Sequence, residues 1–179
     1  MENKSFKIIA AQSNIDWIGR KVTGSHNGTV SVKDGTLVLN DNRLLNGNFV
    51  ADTTSIKILD ITDPATNAQL AGHLASADFF ASEQYPEAQF VITSAEPAEK
   101  GTYLINGDLT IKEITHPTAF SAQVNTSDST LTASGKIIVD RTKYDMKFRS
   151  GNFFQNLGDN LIYNNFELNV NITAKQVTE

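Results

Sequence analysis

Cysteine is absent from this chain of 179 residues, and proline is scarce, with only four residues. Without cysteine there is no disulfide scaffold, zinc ribbon, thiol nucleophile or covalent haem attachment. No stretch approaches the roughly 20 consecutive apolar residues of a membrane-spanning helix, so we expect no stable membrane insertion. The N-terminal apolar run is too short for a signal peptide. We therefore expect a cytoplasmic protein as the chain stands, and a periplasmic or secreted one if a leader has been removed.

Positive charge is also in the minority, with 15 Lys and Arg against 20 Asp and Glu and a net charge of −5. This balance opposes general nucleic-acid binding, which depends on neutralising phosphates. With 40% hydrophobic and 20% charged residues, the composition is typical of an ordered globule. Because a chain of this length buries about 70% of its surface on folding, we expect one domain over residues 1–179. A homodimer stays open as an alternative to a monomer.

Sequence motifs of common catalytic and metal sites are missing as well. There is no HExxH, GxSxG, P-loop or GxGxxG, and the histidines His26, His73 and His116 are far apart in the sequence. We therefore predict no catalytic residues, no metal site and no cofactor. Acidic residues distant in sequence can still converge in a fold, so an enzyme acting on a lipidic or small aromatic substrate stays open as the alternative.

Alternation of apolar and polar residues is the commonest pattern in the chain. About eight segments show it, which predicts strands with one polar face. The clearest ladder consists of Tyr103, Ile105, Gly107, Leu109 and Ile111. Asp34-Gly35 and Asn46-Gly47-Asn48 are predicted turns between early strands. Gly107 and Gly135 lie inside ladders, where glycine indicates a bulge, a bend or a close approach that lets a sheet close into a barrel.

One segment has helical periodicity instead. Asp63-Pro64 is a favourable helix start, with a capping carboxylate before a proline in the first turn. Leu70, Ala71, Leu74 and Ala75 then repeat at a spacing of four residues and form an apolar stripe. We predict a single helix over residues 64–78 in an otherwise all-β protein.

A locally basic stretch follows the last-but-one ladder, with Arg141, Lys143, Lys147 and Arg149 diluted by acidic neighbours. It could contact an anionic head group of a ligand. The alternative is a solvated edge that deters strand aggregation, as basic side chains often do.

Several stretches, taken together, resemble the YceI-like family of polyisoprenoid-binding proteins. Leu70 to Phe80 reads LAGHLASADFF, which is similar to the family's L-x-x-H-L-x-S-x-D-F-F. The segments that follow also resemble family motifs in order and spacing: Glu83 to Phe90, Asn106 to Ile111 with His116-Pro117, and Gly135 to Arg141. The early Ser13 to Trp17 and Gly24 to Gly28 match its opening strands. The resemblance extends from about residue 11 to residue 174.

The resemblance implies a lipocalin-like, eight-stranded antiparallel barrel with one helix inserted between strands. It also implies a long-chain polyisoprenoid ligand, such as a prenyl quinone or phenol, held in an apolar tunnel and sequestered or carried without turnover. Eight strands is also the size at which a barrel can enclose one small ligand. A transport role, or a stress-response role with incidental binding, would both fit such a protein.

Large apolar side chains are then the candidates for ligand contact, although plain core packing is the alternative for each. Phenylalanine, with ten residues, dominates the aromatics and needs dry surroundings. Of the adjacent pair Phe79-Phe80, we expect one ring to pack on strands and the other to face a cavity. The candidate ligand-binding residues are Trp17, Phe49, Leu74, Phe79, Phe80, Tyr85, Phe90, Leu109, Phe120, Phe148 and Phe166.

Overall fold

The computed structural model describes residues 3–22, 24–148, 150 and 162–177. Within these residues, nine strands form one antiparallel sheet. Their bounds are β1 (Asn3–Ile8), β2 (Asn14–Lys21), β3 (Gly24–Asn40), β4 (Arg43–Ile58), β5 (Glu87–Pro97), β6 (Thr102–Ile111), β7 (Ile114–Ser127), β8 (Thr130–Asp140) and β9 (Ile162–Gln176). The helices are α1 (Pro64–Leu74) and two 3₁₀ helices, Ala10–Gln12 and Arg141–Tyr144.

The nine strands occupy eight positions of a closed barrel. β1 and β2 lie end to end between β3 and β9, joined by the first 3₁₀ helix: Phe6 of β1 pairs with Leu37 and Gln176, and Trp17 of β2 pairs with Gly28 and Leu168. Pairing of β3 with β4 closes the sheet. The expected eight-stranded antiparallel barrel with one helix is confirmed, with 67% of the described residues in strands.

Alternation along the strands places the core inside the barrel. In β6, residues 103, 105, 107, 109 and 111 are all buried, while their neighbours are more accessible. This is the ladder that the sequence predicts, since side chains on a strand point to opposite faces in turn. The inward faces of the strands form a single hydrophobic cluster.

The turns predicted at Asp34-Gly35 and Asn46-Gly47-Asn48 are wrong. β3 and β4 continue through both positions without a turn, and Gly35 pairs with Phe49 and Gly47 with Leu37. A Cβ atom on Gly35 would lie 2.5 Å from the carbonyl oxygen of Asn48, so glycine is needed here for the close approach of two backbones.

The β3–β4 turn lies at Asp41 and Asn42 instead. Their φ angles are 52° and 64°, in the left-handed region that two-residue hairpin turns require. Asp and Asn adopt this region more readily than other non-glycine residues.

Helix α1 connects β4 to β5 and is shorter than the predicted span of 64–78. It begins as predicted, because Asp63 accepts a hydrogen bond from the Thr66 N–H and Pro64 occupies the first turn. It ends at Leu74, where the Ser76 hydroxyl donates to the His73 carbonyl and competes with the helical pattern. Among the described residues, no helix has the length and apolar character needed to cross a membrane.

Strands β7 and β8 separate over half their length. They pair only from Ala122 with Gly135 to Ser127 with Thr130. Residues 141–146, hereafter the wedge segment, pack against the separated part of β7. Tyr144 is buried, its hydroxyl donates to the Leu109 carbonyl (3.3 Å), and its ring meets His116 edge-on at 5.2 Å. The wedge segment thus fills the barrel wall where strand pairing stops.

Candidate binding cavity

A cavity occupies the end of the barrel that carries the connections β2–β3, β4–β5, β6–β7 and β8–β9. We call this the open end and the opposite end the far end. The main cavity has a volume of about 1300 Å³, including the open space at its mouth, and its wall is almost entirely carbon. Helix α1 contributes Leu70 and Leu74 to that wall, which is the stripe predicted from the sequence. Such a space suits an apolar ligand.

Seven of the predicted site residues line the main cavity. They come from β2, β4, α1 with the turn that follows it, β6 and β9. These residues are Trp17, Phe49, Leu74, Phe79, Phe80, Leu109 and Phe166. Phe90 and Phe120 lie deeper and line a second cavity toward the far end. Tyr85 and Phe148 line neither of these two cavities among the described residues.

Tyr85 and Phe148 contact other parts of the protein instead. The carbonyl of Tyr85 accepts a hydrogen bond from the Thr53 hydroxyl (2.7 Å), which ties the α1 connection to β4. The Phe148 ring meets His73 at 4.7 Å and Phe79 at 5.9 Å, both edge-on. Phe148 therefore packs against Phe79, which lines the main cavity.

Phe79 and Phe80 both line the main cavity, so the expectation that they divide the two roles is wrong. The Phe79 ring also packs edge-on against His73 at 5.0 Å, and Phe80 meets Phe166 of β9 at 6.1 Å. The turn that follows α1 is tight enough to present both rings to the same space. His73 in turn contacts the Asp78 carboxylate at 2.9 Å, which holds this turn together.

Trp17, the only tryptophan of the chain, points into the main cavity from β2. Its indole N–H donates to the carbonyl of Lys57 (3.2 Å), so the polar atom of the ring is satisfied in the wall. Gly28 pairs with Trp17 on the neighbouring strand, and a Cβ atom there would lie 2.7 Å from the indole ring. The indole ring thus packs against the backbone of β3 and also lines the cavity.

Arg141 is the main residue of the cavity that is missing from the predicted site residues. A solvated edge is wrong for this side chain, which is only 3% exposed and lines the main cavity. Its guanidinium donates to the carbonyls of Met146 (2.7 Å), Ile162 (3.0 Å) and Tyr163 (3.0 Å). These bonds join the wedge segment to the start of β9.

The electrostatics of Arg141 follow from this enclosure. Burial lowers its pKa, while the nearby Asp140 acts to raise it. No carboxylate pairs with the guanidinium among the described residues, so three carbonyl dipoles stabilise its charge. Lys143 and Lys147 are exposed, as a solvated edge requires, and Arg149 lies outside the described residues.

Polar groups gather at the mouth of the main cavity. His26 lines the mouth, and its Nδ1 lies 2.8 Å from a carboxylate oxygen of Asp60. Partial burial acts to raise the pKa of Asp60, but hydrogen bonds from the Asn27 N–H and from His26 outweigh it and lower the pKa. Arg20 forms an ion pair with Glu167 at 2.9 Å. The cavity therefore has a polar rim above an apolar interior.

Comparison with known proteins shows the family of this chain. A family model described as the YceI-like domain matches residues 6–174. The chain belongs to the YceI-like family. A UPF0312 protein of Pseudomonas putida (strain W619) is 34% identical over 86 residues, covering 44% of this chain and 45% of that protein. Protein YceI of Escherichia coli O157:H7 is 33% identical over 98 residues, covering 54% and 48%. The matches thus span about half the length of these curated relatives.

Solved structures share the fold of this YceI-like chain over nearly its whole length. BcnA of Burkholderia cenocepacia superimposes with a TM-score of 0.72 at 19% identity, covering 94% of this chain and 99% of that one. A polyisoprenoid binding domain from Saccharophagus degradans, implicated in plant cell wall breakdown, gives 0.67 at 11% identity, covering 96% and 98%. At these identities the likeness shows the barrel fold.

Proposed function

We propose that this YceI-like chain binds a long-chain polyisoprenoid lipid of the prenyl quinone or phenol type and sequesters or carries it without chemical turnover. The observation that carries the proposal is the carbon-lined main cavity, which within the described part of the chain opens to solvent at one end and has a polar rim. The family assignment and the structural likeness to a polyisoprenoid binding domain support it.

Burial of the lipid chain would supply the binding energy. Each methylene-sized group removed from water contributes roughly 0.8 kcal/mol. Twenty such groups would contribute about 16 kcal/mol, against an association cost of roughly 4–15 kcal/mol. A cavity without specific polar partners can therefore hold a prenyl chain tightly.

A neutral head group fits the charges around the cavity. A diphosphate would need several cations directed at it, but the Arg141 guanidinium already donates to three carbonyls and Arg20 is paired with Glu167, which leaves Lys21 as the remaining Lys or Arg among the described lining residues. A quinone or phenol needs only one or two hydrogen bonds, which side chains of the rim such as His26 and Asn165 offer. This favours a quinone or phenol.

The cavity assignment is tested by placing a charge in its wall. Phe80→Asp should abolish binding of a short prenyl quinone, because an unpaired carboxylate in a dry wall is costly. Leu59→Asp is the matched control, since Leu59 is 62% exposed and does not line the cavity. Unchanged affinity in a folded Phe80→Asp protein would refute the assignment.

The head group is tested by titrating a prenyl quinone and a prenyl diphosphate of equal chain length at low and at high salt. Salt screens interactions between charges, so the affinity for a neutral quinone should barely change. Tighter and salt-sensitive binding of the diphosphate would overturn the preference for a neutral head group while leaving the cavity assignment intact.

The second candidate is an enzyme acting on a lipidic or small aromatic substrate, and the His26–Asp60 pair favours it. A histidine oriented by a carboxylate at the mouth of a cavity is the arrangement of a general base. Mass spectrometry of a bound ligand before and after prolonged incubation separates the two functions. Recovery of the unaltered ligand supports a carrier, and a new product that disappears in His26→Gln supports an enzyme.

Transport or stress response as the physiological role stays a prediction, as do the oligomeric state and the cellular location.

A further inference from the structure

The main cavity and the second cavity lie one behind the other along the barrel, separated by an aromatic ring. The second cavity is much smaller than the main one, with about 440 Å³ when the space open to solvent is included, and its almost wholly carbon wall includes Leu37, Ile105 and Ile172. Phe49 and Val170 line both cavities. Phe49, the larger of the two, therefore stands between the two spaces.

Phe49 belongs to a layer of three phenylalanines. Its ring centroid lies 5.6 Å from that of Phe90, which lies 5.4 Å from that of Phe120. Phe90 packs over Gly107 of β6, where a Cβ atom would lie 2.4 Å from the ring. Phe120 packs over Gly135 of β8, where a Cβ atom would lie 2.9 Å from the ring. These two rings occupy the space that the missing side chains of the two glycines leave in the barrel wall. Phe49 borders a cavity on both sides, so it is the ring of the layer with space beside it to turn into.

The depth of the main cavity can be estimated from β9. From Ile162 at the mouth to Val170 the strand advances eight residues, or about 20 Å of depth at roughly 3.3 Å per residue and a tilt of roughly 40°. An isoprene unit adds four chain bonds and spans about 4.5 Å when extended, since the three backbone bonds of an extended residue span about 3.5 Å. The main cavity thus holds about four isoprene units in line.

The second cavity adds a shorter space beyond Phe49. It reaches from Val170 to Ile172 on β9 and from Phe49 to Leu44 on β4. By the same geometry this is roughly 5 to 13 Å, or room for one or two further units.

We propose that the second cavity is a subsite for the end of a prenyl chain and that Phe49 limits the chain length the protein accepts. This inference rests on the proposed binding of a polyisoprenoid. A chain of up to about four units fills the main cavity without moving the layer. A longer chain enters the second cavity only when the Phe49 ring turns aside, and its remaining units otherwise stay at the mouth in water.

The test is the affinity of the intact protein for prenyl quinones of two to six isoprene units. In the natural protein, affinity should rise about tenfold or more with each added unit, since each buries several carbons. The rise should stop near four units. In Phe49→Leu, which opens the partition but keeps an apolar side chain, the rise should continue for one or two more units. Phe120→Leu is the matched control, because it enlarges only the second cavity and should keep the limit near four.

Three outcomes decide the matter. If affinity rises equally through six units in the natural protein, or if Phe49→Leu has the same limit as the natural protein, the partition is refuted although polyisoprenoid binding stands. If no prenyl quinone of any length binds the folded natural protein, the proposed function itself fails. Thermal unfolding of each variant shows that it is folded before its affinities are compared.

Discussion

Gly107 is the residue on which the phenylalanine layer most directly depends. A Cβ atom at this position would lie 2.4 Å from the Phe90 ring and 2.5 Å from the carbonyl oxygen of Val91, and the backbone cannot yield as a side chain can. Gly107→Ala should therefore destabilise the protein by about 1–3 kcal/mol. Urea unfolding monitored by circular dichroism measures this.

The same substitution elsewhere gives the control. Gly72 lies in α1, where an added Cβ atom would meet nothing within 4 Å beyond the helix itself, and alanine is the better helix former there. Gly72→Ala should be neutral or stabilise by up to about 1 kcal/mol. Equal effects of the two substitutions would contradict the close approach at Gly107.

Arg141 should contribute to stability as a clamp between the wedge segment and β9. Arg141→Met leaves the carbonyls of Met146, Ile162 and Tyr163 without this donor. The expected loss is about 1–3 kcal/mol, because the buried carbonyl of Met146 left unpaired costs roughly that much, while the carbonyls of Ile162 and Tyr163 are only partly buried. Urea unfolding checks this, with Lys143→Met as the exposed neighbour that should change stability by less than about 0.5 kcal/mol. Similar values for both variants would show that the guanidinium holds nothing together.

At the residue scale, the sequence indicates apolar contacts better than polar ones. Leu74 and Phe166 could be predicted to face the interior because periodicity places them there. The role of Arg141 could not, since its partners are backbone carbonyls about five and twenty residues away that no side-chain motif encodes. A basic stretch looks alike in sequence whether its first member is buried or solvated.

Helix α1 forms part of the cavity wall, and its first turn depends on the charge of Asp63. Hydrogen bonds from the Thr66 hydroxyl and N–H hold the pKa of Asp63 below its ordinary value of 3.8. A lowered carboxyl pKa stabilises the fold above the ordinary value, and this contribution is lost as pH falls through the folded value. The stability difference between the natural protein and Asp63→Ala should thus be full at neutral pH and shrink below about pH 4.

Urea unfolding midpoints between about pH 6 and pH 2 measure this difference. Asp63→Asn is the control, because an amide oxygen also caps a helix but does not titrate. Its advantage over Asp63→Ala should persist in acid. A difference between the natural protein and Asp63→Ala that is constant over the whole range would contradict the role of the Asp63 charge.

At the element scale, strands with one polar face were predictable and their ends were not. β6 follows the period of two because one face meets the core and the other meets water. The glycines of β3 and β4 look like turn residues in sequence, yet they serve the close pairing of two long strands. At the end of α1 the Ser76 hydroxyl donates to the His73 carbonyl, a contact that local periodicity does not reveal.

At the scale of the whole molecule, a closed barrel explains why so many large apolar side chains converge without filling the interior. Eight strands leave a lumen that can hold a small ligand, and the phenylalanine layer fills only its middle. The barrel was predictable from the strand count and from the family resemblance. The division of its lumen into two cavities was not, because it depends on which rings share one level of a tilted sheet.

Emission from Trp17 tests the central claim most directly, because the chain has no other tryptophan and this one lines the main cavity. Titration with a prenyl quinone should quench the emission in a saturable way, with an end point at one quinone per chain. The titration should lose this saturation in Phe80→Asp and keep it in Leu59→Asp. Quenching that only rises in proportion to added quinone, equally in all three folded proteins, would contradict binding of the lipid in this cavity.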